Sequence, residues 1–302
     1  MSAQAHVTFW GVRGSTPCDG DQFSRYGGNT SCVEISSPTH DPVILDLGTG
    51  LRSYGDQLAR DGKLDGYRAN VLLTHLHWDH IQGLPFFHPL SAGGGSVTVY
   101  GPEQADGPLD EVFRSVMSPP YFPITPDELN GDIAFEAVGG RDDFATNGAK
   151  VKARWVRHTD PTLGFRVEID GMTIAYLSDH GPGTVPEDDD LYVPDDVLEL
   201  CDGVDLLIHD AQHTTPEYER KRNWGHCTVE YAIHVAREAG SQTLALFHHC
   251  PSHGDDAMDT ILRDARDHVA RLGGPAIFAA SDGLCVELGG GPARAVGSST
   301  DG

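Results

Sequence analysis

Four potential metal ligands fall within six residues of this chain: His75, His77, Asp79 and His80, in the run THLHWDH that follows the apolar segment 69–74. On an extended strand end His75 and His77, two residues apart, point to the same side and can share a cation. Asp79 and His80 follow in the turn and can face a neighbouring one, so two adjacent sites are expected. A buried strand that ends in such a turn and then enters a helix is where a layered α/β fold gathers ligand-binding groups. The bland alternative is a surface histidine cluster in a chain that holds 16 histidines.

The remaining pattern suits a layered fold. Segments 7–12, 31–36 and 43–48 read as strands, followed by a short helix over 52–60, the strand at 69–74 and a helix from Asp79. Further strands are predicted at 96–101, 132–138 and 150–157, with a helix at 108–117. Asp170-Gly171 is a two-residue hairpin signal between strands 163–169 and 172–177. From residue 195 the chain alternates PDDVLELC (helix), VDLLIHD (strand), TVEYAIHVAREAG (helix), TLALFHH (strand) and DDAMDTILRDARDHVARLGG (helix), then closes with strands AIFAA and LCVEL. Strands first, alternation later and no linker between them predict one α/β domain over residues 1–288: two sheets packed face to face between helical layers, a four-layer αββα sandwich. The proline-rich stretch 102–131 is expected to be a surface excursion, with a lid as a hypothesis, and 289–302 a disordered tail.

Charge narrows the partners. Asp and Glu total 45 against 21 Lys and Arg, a formal net charge of −24, so the global field opposes phosphate polymers and anionic bilayers. The expectations are a small anionic substrate, no long nucleic acid and no membrane; a homodimer is left open. The start has no basic residue before Arg13 and no apolar stretch of signal-peptide type, which predicts a cytoplasmic protein. The six cysteines form no C-x-x-C pair and are expected to be free thiols.

The motif His75-x-His77-x-Asp79-His80 after an apolar strand resembles the signature of the metallo-β-lactamase superfamily. His158 (WVRHTDPTLGFRVE), Asp179 (IAYLSDH) and His248 (LALFHH) stand in the order and context of that family's remaining ligands. The resemblance implies His75, His77 and His158 on one divalent metal, Asp79, His80 and His248 on a second, and Asp179 bridging both. Nitrogen and oxygen ligands of this kind suit zinc, with manganese or iron tolerated. The chemistry expected of such a pair is hydrolytic, at an electropositive point that attracts anions.

FWGVRGSTPC, RYGGNTSCVEI and ILDLGTGLR resemble the phosphodiesterase branch of the superfamily, which includes tRNase Z and cyclic nucleotide phosphodiesterases. Here Asp46 is expected to fix a ligand histidine. LLIHDAQH followed by NWGHCTVEYA is similar to that branch's acidic residue and Gly-His pair. The likeness implies that Asp210 orients His226 and that His226 protonates the departing alkoxide, so Asp79, His226 and Asp210 form the catalytic set. Only about twenty residues separate His158 from Asp179, which leaves no room for the RNA-gripping arm that tRNase Z inserts there. The expected substrate is therefore a small cyclic or activated phosphodiester. The alternatives are a thioester or lactone hydrolase on the same centre, or a non-catalytic binding protein of the same fold. A di-iron oxidoreductase would want a carboxylate in place of His77.

The other candidates are expected to be plainer. His249 is taken as structural, and His253 and Asp255 as supports of the site or a cap for the helix at 255. His180, His209 and His213 lie near candidate residues, and the role of Cys250 beside His248-His249 is open.

Overall fold

The computed structural model describes residues 5–182, 191–289 and 291–296. In chain order the strands and helices are β1 (His6–Gly11), β2 (Cys32–Ser36), β3 (Val43–Leu45), α1 (Gly50–Arg60), β4 (Arg68–Leu72), α2 (Trp78–Ile81), α3 (His88–Ser91), β5 (Ser96–Pro102), α4 (Leu109–Val116), β6 (Asp132–Val138), β7 (Asp143–Ala145), β8 (Lys150–Val156), β9 (Thr162–Ile169) and β10 (Met172–Leu177). Then follow α5 (Asp195–Cys201), β11 (Leu206–Asp210), α6 (Thr215–Lys221), α7 (Val229–Glu238), β12 (Thr243–Phe247), α8 (Asp255–Leu272), β13 (Ala276–Ala279), β14 (Cys285–Glu287) and β15 (Arg294–Ala295).

The strands form an eight-stranded sheet in the order β15-β14-β1-β2-β3-β4-β5-β6 and a seven-stranded sheet in the order β13-β12-β11-β10-β9-β8-β7. Between them lies a core that includes Val7, Phe9, Ile35, Phe165, Tyr176 and Phe247. Leu51 and Tyr54 of α1, Leu90 of α3 and Phe113 of α4 cover the outer face of the first sheet. Val197 of α5, Ala232 of α7 and Met258 of α8 cover that of the second. This is the four-layer αββα order expected. The parallel strands β11 and β12 are buried at every position because each face is covered, and they read as nearly continuous apolar runs. β1 instead alternates, with Val7 and Phe9 turned into the core.

Several local expectations shift. The strand predicted over 43–48 stops at Leu45, because Asp46 takes a left-handed conformation (φ 59°) that carries the chain out of the sheet. α1 begins at Gly50, and α2 is a single turn. β7, α3 and α6 are too short for their periodicity to be read. The tail expected to be disordered is corrected at Arg294 and Ala295, which pair with Glu287 and Val286 in an antiparallel ladder. The ladder bonds are backbone bonds, invisible in composition. Residues 290 and 297–302 of that tail lie outside the described residues. The 102–131 excursion is anchored, since its own Leu109, Phe113 and Met117 are buried. Among the described residues no helix is long and apolar enough to cross a membrane.

Candidate metal centre

The candidate residues sit where strands end. β10, β11 and β12 are mutually parallel, and β8 and β10 both run antiparallel to β9, so all four release their carboxyl ends at one edge of the second sheet. His158 follows β8, Asp179 follows β10, Asp210 closes β11 and His248 follows β12. The loop after β4 brings His75, His77, Asp79 and His80 to the same edge from the first sheet. Residues far apart in sequence thereby converge because the crossovers run the same way.

The structure brings all seven predicted ligands together in two groups. Donor atoms of His75, His77, His158 and Asp179 lie within 4.8 Å of one another, as do those of Asp79, His80 and His248. Asp179 links the groups. Its Oδ2 stands 3.8 Å from His75 Nε2 and 3.5 Å from His158 Nε2, while its Oδ1 stands 3.1 Å from His80 Nε2 and 3.2 Å from His248 Nε2. Asp79 Oδ2 is 3.2 Å from both His80 Nε2 and His248 Nε2.

Each ligand histidine is held through its other nitrogen. His80 Nδ1 donates to Asp46 (2.8 Å), His158 Nδ1 to the Gly225 carbonyl (2.9 Å) and His75 Nδ1 to the Thr74 hydroxyl (3.0 Å). His77 Nε2 donates to Asp160 (2.9 Å), and the Gln212 amide lies 3.2 Å from His248 Nδ1. These partners orient the rings with the opposite nitrogen turned inward. Fully buried, Asp46 also accepts from the Thr74 amide and from the Tyr176 hydroxyl, each at 2.8 Å. The Ser15 amide donates to Asp79 Oδ2 at 2.7 Å.

The fit to cations rests on what these inward atoms lack. His75 Nε2, His80 Nε2 and Asp179 Oδ1 are buried and make no hydrogen bond among the described residues, an arrangement costly unless a further group satisfies them. Burial, followed by the charge of His80, holds His75 well below the ordinary imidazole range, and burial likewise lowers His158, so both favour the neutral, ligating form. Burial pushes Asp79 and Asp179 upward, but the surrounding histidines outweigh it and keep both carboxyls below their usual range. His80 is raised despite its burial by Asp79, Asp179 and Asp46. Of these carboxylates Asp79 and Asp179 face His80 Nε2 and Asp46 faces its Nδ1.

His226 stacks on His248, ring centroids 5.0 Å apart, and its Nδ1 donates to Asp210 Oδ2 at 2.8 Å. Burial lowers His226, yet the charge and hydrogen bond of Asp210 raise it overall. His226, Asp179 and His248 also offer donor atoms within 4.8 Å of one another. A pocket of about 480 Å³ opens over the centre, lined by Ser15, Leu76, His77, Trp78, Asp79, His158, Asp179, Trp224 and His226.

Among the plainer candidates, His249 donates to the Ala280 carbonyl at 2.8 Å, as a structural residue does. His253 pairs with Glu217 at 2.8 Å, and Asp255 accepts from the amides of Arg25 and Tyr26 rather than capping its own helix. His180 and His209 bond to one another at 3.0 Å, while the buried ring nitrogens of His213 have no hydrogen-bond partner among the described residues. The Cys250 thiol meets Ser252 at 3.1 Å. Sequence reading missed Thr74, Tyr176, Asp160, Gln212 and Ser15 as supports. Two glycines carried a usable signal. A Cβ on Gly14 would come within 2.4 Å of the His248 ring, and one on Gly225 (φ 83°) within 2.3 Å of His158 Nδ1.

Comparison with known proteins places this geometry. A family profile described as a beta-lactamase superfamily domain matches residues 44–249. The ribonuclease Z of Haloarcula marismortui is 26% identical over 300 residues, 86% of this chain and 91% of that protein. The metallo-beta-lactamase fold protein YhfI of Bacillus subtilis superposes with a TM-score of 0.69 at 19% identity, covering 95% of this chain and 100% of that one. The short form of human tRNase Z gives 0.64 at 21% identity, covering 94% and 99%. The expectation of no long nucleic acid partner is overturned here, because relatives named ribonuclease Z align along most of the chain. Net charge misleads because it is a sum over the whole surface, whereas screening over ~8 Å leaves a substrate to respond to the charges beside it.

Proposed function

This chain belongs to the beta-lactamase superfamily, and on that premise we propose that it is a metal-dependent phosphodiesterase with a binuclear centre. His75, His77 and His158 would hold one divalent cation, Asp79, His80 and His248 the other, and Asp179 both. Zinc suits this donor set best, and manganese or iron(II) is tolerated. Two such cations supply Lewis acidity to the phosphoryl oxygens and to the attacking water.

The observation that carries the reading is the Asp210–His226 bond at 2.8 Å beside the histidine–carboxylate cluster. An alkoxide leaving from phosphorus is a strong base and needs a proton; a thiolate does not. Asp210 holds His226 in one orientation and favours its protonated form, so the imidazole stands ready to deliver that proton into the pocket. Ser15 and Asp46 hold the carboxylate and imidazole they touch in place. The thioester alternative, with its thiolate leaving group, leaves this pair without a task.

For the substrate, our reading is a small cyclic or activated phosphodiester. It is supported by the pocket of about 480 Å³ and by the β9–β10 hairpin, which turns at Asp170-Gly171 and carries no arm between His158 and Asp179. A second reading, cleavage of an RNA phosphodiester, is favoured by the relatives named ribonuclease Z. The test is hydrolysis of bis(p-nitrophenyl) phosphate, a thioester and a precursor tRNA by one zinc- or manganese-loaded preparation, with Asp79→Ala as control. Diester turnover lost in the variant is the expected result. Thioester turnover alone would defeat the proposal, and faster cleavage of precursor tRNA would select the RNA reading.

A further inference from the structure

A second cavity of about 330 Å³ adjoins the metal pocket, and Trp78 lines both. Its walls are Trp78, Phe86, Phe113, Val116, Tyr121 and Phe122, with Gln82 at its edge and no charged side chain in its lining. Trp78 is 72% exposed, Phe86 54% and Tyr121 77%, an unusual concentration of large aromatic surface open to water beside a charged centre.

The groove is built rather than incidental. Its outer wall belongs to the 102–131 excursion, whose Phe113 and Met117 are buried and whose Arg114 pairs with Asp127. Phe86 and Phe122, from opposite walls, meet edge to face at 6.0 Å and 87°. Trp78 lines both cavities and Asp79 lines the metal pocket, so a group seated in the groove lies beside the pocket that holds the predicted ligands. With no cation in its lining, the groove offers nothing to a second phosphate. Ring faces and edges favour a planar aromatic guest over a flexible aliphatic one.

Resting on the phosphodiesterase reading, we infer that this groove is a subsite for a planar aromatic ester group, an aryl ring or a nucleobase, on the phosphodiester substrate. Stacking of this kind favours an aromatic ester by about tenfold or more.

The test uses the metal-loaded protein and four p-nitrophenyl phosphodiesters whose second ester is methyl, cyclohexyl, phenyl or thymidine-5′. The leaving group is then constant and only the groove's guest changes. The expected result is kcat/KM about tenfold higher for the phenyl or thymidine ester than for the methyl and cyclohexyl esters, with the phenyl-to-methyl ratio falling to near one in both Val116→Glu and Phe122→Ala. Comparing phenyl with thymidine distinguishes a simple aryl ester from a nucleotide. As a second readout, phenylphosphonate should quench the fluorescence that Trp78→Phe removes, and methylphosphonate should not. Equal turnover of methyl and phenyl esters, a cyclohexyl ester as good as phenyl, or a preference that survives both variants overturns the subsite alone. No turnover of any of the four esters overturns the diesterase reading and the subsite with it.

Discussion

His226 donates through Nδ1 to Oδ2 of Asp210 across 2.8 Å, although Asp210 ends β11 and His226 lies sixteen residues on, in the turn before α7. The bond commits one nitrogen of the ring to a carboxylate and aligns the imidazole beside the cluster. If His226 is the proton donor, its value depends on how badly the leaving group needs a proton. His226→Ala should lower kcat by roughly 10²–10⁴ for a diester with an alkyl leaving group and far less for p-nitrophenolate. A leaving-group series checks this; an equal loss across the series would assign His226 a purely structural role.

Asp46 does not line the metal pocket, yet it gathers His80, Thr74 and Tyr176 around one buried carboxylate. Asp46→Ala leaves those donors unpaired and frees the His80 ring. We expect zinc affinity to fall about ten- to a hundredfold, by chelator competition, and the metal-free protein to lose about 2–4 kcal/mol in urea unfolding.

Gly225 and Gly171 have similar left-handed conformations, φ 83° and 78°. A Cβ on Gly171 meets nothing within 4 Å, whereas one on Gly225 collides with His158. Gly171→Ala should therefore cost only the backbone strain, about 1–2 kcal/mol, and leave zinc affinity alone. Gly225→Ala should lower stability further and weaken zinc binding as well, which calorimetric titration of the two variants distinguishes.

Glu217 accepts from the Thr214 amide at 2.9 Å, the Thr214 hydroxyl at 2.7 Å and His253 at 2.8 Å. Burial works against its charge, but the Thr214 bonds and His253 prevail and bring its carboxyl down to about 2 from an ordinary 4.5. With the folded value below the unfolded one, its stabilisation is present above pH 4.5 and fades as pH falls from 4.5 through 2. Glu217→Gln should unfold at lower urea than the parent at pH 7, and the gap should narrow toward pH 3. A gap that does not change with pH would show that the charge of Glu217 contributes nothing.

How far the site could be read ahead of the fold depends on how its residues are spaced. His75, His77, Asp79 and His80 are close in sequence, and strand geometry alone suggests that they share cations. His158, Asp179 and His248 gave no such local sign; each is one histidine or aspartate after an apolar run, and only likeness to a family singled them out. Asp160, Gln212 and Ser15 were illegible, because a polar residue that supports a ligand across the fold looks the same as one in any loop. The net charge of −24 describes the whole surface and says little about the edge where substrate meets the protein.

By itself, then, the sequence determined the periodicities that build two sheets and their helical covers, and the run of histidines and carboxylates at one strand end. Those follow from local rules of period and turn that need no distant partner. Only the tertiary structure decided that Asp179 stands between the two groups, that Asp210 reaches His226, and that Trp78 joins the charged pocket to an aromatic groove. These relations depend on strand order and register, which bring residues about 170 apart in sequence to within hydrogen-bond distance, as with Asp79 and His248 at 3.2 Å.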